Sequence, residues 1–256
     1  MSLFNKALAS IGIGSAKVDT KLENATVAVG EELRGVVNIQ GGNTEQKIDE
    51  IFLSLHTTYL KEVNDRKQNI PVVIDRFRIT ESFTIGQGET KKIPFSFILP
   101  LDVPISIGRT KVWVTTSLDI KNAVDPKDKD YLKIIPNRMI GEVLNVIENL
   151  GFRLREADCE QASYRLRKRM PFIQEFEYVP VNGPFRGRLD ELELVFFQVS
   201  QDTLEIFMQV DRKARGLGGF LAEALERDES NLRLIVTEND LPILTQKLHS
   251  TIERYS

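Results

Sequence analysis

Apolar and polar residues alternate along most of this chain, beginning with Val18, Thr20 and Leu22 set against Lys17, Asp19 and Lys21. A period of two sends successive side chains to opposite faces, so each such run predicts a half-buried β-strand. Ile51, Leu53, Leu55, Thr57 and Tyr59 form a second apolar row. Ser54 and His56 fall on its other face, which makes His56 an exposed strand residue rather than a ligand. Ile93, Phe95, Phe97 and Leu99 form a third row, and Val112, Val114, Thr116, Leu118 and Ile120 a fourth. Turn residues separate the rows: Gly30-Glu31, Gly41-Gly42-Asn43, Gly86-Gln87-Gly88, Pro100 and Pro104. Strands in this number without regular helices between them predict an antiparallel β-sandwich rather than parallel βαβ units.

The pattern changes at residues 121–130, which are dense in charge and contain the turn initiator Asp125-Pro126. A domain boundary is expected here, giving units 1–130 and 131–256. Asp125, Asp128 and Asp130 lack the glycine and terminal glutamate of an EF-hand loop, so the stretch reads as a solvated linker. After a strand at Tyr131 to Ile135, the residues Ile140, Val143, Leu144, Ile147 and Leu150 recur at helical spacing, with Pro136 before them and Gly151 after. A helix over about 138–150 follows. Strand rows then resume at Phe172, Gln174, Phe176 and Tyr178, at Leu192, Leu194 and Phe196, and at Leu204, Ile206, Met208 and Val210. A C-terminal helix over about 240–254 carries the stripe Leu241, Leu244, Leu248, Ile252 and Tyr255, with Pro242 in its first turn. At the other end Leu3, Phe4, Ala7, Leu8 and Ile11 predict a short N-terminal helix. Neither terminal stripe is long enough to be a stable helix alone in water, so each must dock on its own chain or on another. The fold class expected is therefore all-β: two antiparallel β-sandwich domains with a short N-terminal helix, a helix near 138–150 and a C-terminal helix.

Charge and chemistry narrow the function. The 256 residues carry a net charge of −3, against the basic excess of a nucleic-acid binder, so any basic patch must be local. Two histidines and the single Cys159 offer neither metal-ligand spacing nor a nucleophile–base pair. No catalytic residue, metal or cofactor is expected, and the chain reads as a non-enzyme. Gly216, Gly218 and Gly219 lack the Gly-Lys-Ser/Thr of a phosphate loop. Asp190, Glu191 and Glu193 read as the solvent face of a strand. Arg165, Arg167 and Arg169 alternate with Leu166, Lys168 and Met170, so a strand here would present three guanidinium groups on one face. Arg153 and Arg155 repeat that spacing upstream. Such a stripe could read acidic peptides, phosphates or anionic lipid heads, or be a solvated face balanced by Glu156, Asp158 and Glu160. Together with Leu3, Phe4 and Leu8 of the N-terminal stripe, Arg165, Arg167 and Arg169 are the candidate partner-binding residues. No apolar run reaches the 18–20 residues of a membrane span, and a cytoplasmic location is expected.

Residues 27–39 (VAVGEELRGVVNI) and 93–100 (IPFSFILP), followed by Pro104, resemble arrestin N-domain strands. Residues 4–19 (FNKALASIGIGSAKVD), 118–131 (LDIKNAVDPKDKDY), 183–194 (GPFRGRLDELEL) and 212–223 (RKARGLGGFLAE) resemble the bacterial sporulation-control protein M family. That resemblance implies a pair of arrestin-like β-sandwiches and a non-enzymatic intracellular regulator or adaptor that controls sporulation and cell division through protein contacts. The partners it implies are cytoskeletal, cell-division or sporulation-signalling proteins; a homodimer is open on the residues themselves, since a strand edge or an amphipathic helix can be covered by a second copy, and the charge argues against nucleic acid. A peripheral membrane-surface organiser, held by the N-terminal helix and the basic stripe, is the alternative. The second half is short for an arrestin C-domain and carries its helix early.

Overall fold

The alternating rows become strands whose apolar sides meet in one continuous core. A computed structural model describes residues 15–64, 66–120, 126–211 and 231–256. In chain order the elements are β1 (Lys17–Leu22), β2 (Thr26–Ala28), β3 (Glu32–Gln40), β4 (Gln46–Val63), β5 (Arg66–Thr80), β6 (Phe83–Ile85), β7 (Thr90–Ile98), β8 (Val112–Ile120) and β9 (Lys127–Ile135). Then come α1 (Arg138–Asn149), β10 (Phe152–Gln161), β11 (Phe172–Pro180), β12 (Glu191–Ser200), β13 (Thr203–Asp211), β14 (Asn231–Thr237), a 3₁₀ turn (Glu238–Ile243) and α2 (Leu244–Tyr255). The fold is mainly β, as the alternation predicts. The N-terminal helix expected around Leu3, Phe4 and Leu8 lies outside the described residues.

In the first half, the sheet β1-β3-β7 faces the strands β4-β8-β9-β2. Leu33, Val37 and Ile39 of β3 meet Ile51, Leu53 and Leu55 of β4 and Val112, Val114 and Leu118 of β8, all buried. A polar contact inside this sandwich is satisfied within it: Thr20 and Thr116 share a hydrogen bond of 2.6 Å between their hydroxyls. Lys127 to Asp130, expected as the end of a linker, instead belong to β9, which pairs with β8 and β2. The boundary expected at 130/131 falls inside that strand.

In the second half β10 to β14 form one antiparallel run, and the helices supply the second layer. Asn137 caps α1 by accepting a hydrogen bond from the Ile140 amide at 3.0 Å. Met139, Ile140, Val143, Val146 and Ile147 are its buried side. At its end Gly151 adopts φ +96°, and a Cβ there would lie 2.3 Å from the Asn182 carbonyl oxygen, so only glycine fits. Leu244, Leu248 and Ile252 bury the stripe of α2 in the same core. The C-terminal helix therefore docks on its own chain.

The two halves are joined by β4, an 18-residue strand. Its first part pairs with β8, and near its end Leu60 pairs in parallel with Glu160 of β10. Placing a carboxylate in the β8 row tests this register. Val114 is 1% exposed, and Val114→Asp should cost about 3–5 kcal/mol, the scale of an unpaired buried charge. Thermal or urea denaturation checks it.

Candidate functional site

The arginine run does not form the expected strand. Residues 162–171 are instead the loop between β10 and β11, closed by the Ala162 amide donating to the Pro171 carbonyl at 2.9 Å. A turn, with the Leu166 and Arg167 amides both donating to the Ser163 carbonyl, tucks Leu166 against Ala162, Ile173 and Val195. Burying that leucine breaks the alternation, so the three guanidinium groups share no strand face. Arg169 turns to the first half: its Nε donates to Asp102 Oδ2 at 2.7 Å and its Nη1 to the Ile74 carbonyl at 2.7 Å. Lys168 pairs with the buried Glu205 at 2.6 Å and lies over the Phe197 ring. These contacts border a cavity of about 770 Å³ between the halves, lined by apolar residues that include Ile98, Leu99, Phe172 and Phe196. Arg169 thus acts as a strut, while Arg165 and Arg167 are exposed at the loop surface.

A larger basic surface lies on the outer face of the first half. Register sets it in rows across four strands: Arg78, Phe52, Ser117, Lys127; then Arg76, Ser54, Thr115, Lys129; then Val73, His56, Trp113, Tyr131. Lys133 continues the exposed side of β9, and Lys111 stands two residues before Trp113. Cations cover the aromatic rings. The Arg76 guanidinium sits 3.6 Å from the Phe52 centroid, and the Lys129 ammonium 4.2 Å from Trp113 and 4.7 Å from Tyr131. Tyr131 is 56% exposed. Acidic groups of this face include Glu50 and Asp119, cross-strand neighbours at one end, where Glu50 is engaged by Arg78 at 3.2 Å. His56 is on the face opposite the core row, as expected, but it is half-buried: its ring stacks on Trp113 with centroids 5.5 Å apart. The alternation Lys127, Lys129, Tyr131, Lys133 was present in the sequence; what hid it was reading that stretch as a linker.

The acidic residues of the second half are also misplaced by sequence reasoning. Glu191 is buried and Glu193 half-buried, not the solvent face expected of them. With Glu175 and Glu177 they occupy the outer side of β11 and β12, where Glu177 stands opposite Glu193. Arg155 bridges Glu177 at 2.6 Å and Glu191 at 2.8 Å. Cys159 is buried against Thr110, and burial pushes its thiol up to about 12, so it stays protonated.

Burial, reinforced by the Lys129 ammonium, holds the His56 imidazole below its ordinary pKa. As pH falls through about 6.5, the unfolded chain takes up that proton before the folded one does, so this histidine lowers stability increasingly below neutrality. His56→Phe should flatten the fall in melting temperature between about pH 7 and 5 relative to the parent, measured over that range in matched buffers.

No described helix is long and apolar enough to cross a membrane. The profile of the SpoOM protein family matches residues 4–214. The chain is 46% identical over 253 residues to the sporulation-control protein spo0M of Bacillus subtilis (strain 168), spanning 99% of this chain and 97% of that protein. The crystal structure of Spo0M from Bacillus subtilis superimposes with a TM-score of 0.88 at 45% identity, covering 95% of this chain and all of that one. On a match of this length and identity, the chain belongs to the SpoOM protein family.

Proposed function

We propose that this protein is a non-catalytic regulator of sporulation that acts through protein contacts, and that the outer face of β4, β5, β8 and β9 is its contact surface. The relative's name and the 46% identity support a regulatory role in sporulation; the surface is supported by one observation, the concentration of Arg76, Lys111, Lys127, Lys129 and Lys133 around Trp113 and Tyr131. In a chain of net charge −3, this segregation favours an acidic segment of a partner protein. Aromatic rings already covered by cations make poor platforms for stacking bases. Cell-division or cytoskeletal proteins are the partner class we assign, with homodimerisation as one way of presenting two such faces. A peripheral membrane role is the second reading, favoured by Trp113 and Tyr131 lying among lysines, the combination that suits an anionic lipid interface.

The test is a triple charge reversal, Lys127→Glu, Lys129→Glu and Lys133→Glu, in an otherwise complete chain. These side chains are exposed, so the melting curve should move little, while capture of partners from sporulating cells should weaken about tenfold or more. The same variant should fail to restore sporulation in Bacillus subtilis lacking its own sporulation-control protein. Restoration equal to the parent chain's would overturn the surface assignment. Loss of binding to phosphatidylglycerol vesicles, with protein capture unchanged, would replace the first reading by the second.

A further inference from the structure

On the outer face of β11 and β12, carboxylate oxygens of Glu175, Glu177 and Glu193 lie within 4.8 Å of one another. Like charges directly opposite in a sheet repel, and Glu177 opposite Glu193 is such a pair. Counter-charge is scarce. Arg155 is shared between Glu177 and Glu191, Lys67 is taken by Glu160, Arg109 by Glu156 and Asp158, and Lys168 and Arg233 by Glu205. A second observation concerns hydrogen bonding. Glu175 is only 4% exposed, yet its Oε1 has no hydrogen-bond partner among the described residues. The same holds for Glu193 Oε2 and for the side-chain oxygen of Gln209, which stands opposite Glu193 on β13. Three unpartnered acceptors thus lie on three adjacent strands. Buried acceptors left in that state each cost free energy, and a group of them requires a proton or a cation between them.

We infer that Glu175, Glu177 and Glu193, with the Gln209 side-chain oxygen alongside, form a calcium site on the outer face of β11, β12 and β13. The donors are all oxygen, which selects hard divalent cations over zinc or copper. Carboxylates held on adjacent strands offer oxygens where the sheet places them, which suits calcium's flexible coordination better than the near-ideal octahedron that magnesium demands. Glu177 and Glu193 are only half-buried, which leaves a path for an ion to enter. Burial and the neighbouring carboxylates push Glu175 up to about 9 and Glu193 up to about 10.

Calorimetric titration of the full chain, stripped with EDTA, with calcium chloride should give one saturable site per chain, and the melting temperature should rise with calcium concentration. Magnesium should bind about tenfold more weakly or worse. Glu193→Gln keeps the shape and replaces a carboxylate ligand by an amide, so its calcium-free melting curve should match or exceed the parent's while calcium binding falls at least about tenfold. If that variant does not fold, Glu177→Gln, at a more accessible position, should show the same loss. Absence of saturable calcium binding in the parent chain, tighter magnesium than calcium, or undiminished binding in a folded variant would each overturn the site.

Discussion

The pairing demanded by β4 is the constraint on which the rest of the molecule depends. Ile48, Ile51, Leu53, Leu55 and Thr57 are fully buried along its inner side, and a shift of one residue would carry that whole row to solvent. The register is therefore fixed by burial, and it fixes everything hydrogen-bonded to β4. Toward its C-terminal end Tyr59 stacks with Phe172 of β11, and Leu60 pairs with Glu160 of β10. The two halves are thereby held through a backbone element rather than a linker. Arg169, reaching from the second half to Asp102 and Ile74 of the first, braces the same junction across the cavity.

The same register sorts charge. The outer side of β4 and its neighbours receives the cations and the aromatic residues, because β5 brings Arg76 and Arg78 beside Ser54 and Phe52, and β9 brings its lysines beside the hydroxyl row of β8. The outer side of β11 and β12 receives glutamates. A net charge near zero thus conceals two faces of opposite sign, and separated faces of this kind steer association more than they stabilise a fold.

The core was legible in the sequence because period two and burial coincide: the rows ending in Tyr59, Leu99 and Ile120 are the rows the structure buries or half-buries, and the stripes of α1 and α2 are their buried faces. The arginine run failed for a physical reason. In residues 165–170 alternation comes from a turn that buries Leu166, and a period of two over six residues does not distinguish that from a strand. Trp113 beside His56, and Glu177 opposite Glu193, were invisible because partners from different strands meet only through register, which no local pattern encodes. Lys127 and Lys129 were read as linker because charge density outweighed their alternation with half-buried positions.

We assign contact with partners to the basic–aromatic face of the first half and not to the loop that carries Arg165 and Arg167. Hydrogen exchange of the complete chain, free and bound to the partner captured from sporulating cells, tests it most directly. New protection is expected along β8 and β9, with residues 162–171 unchanged. Protection confined to residues 162–171, with β8 and β9 exchanging as in the free protein, would contradict it.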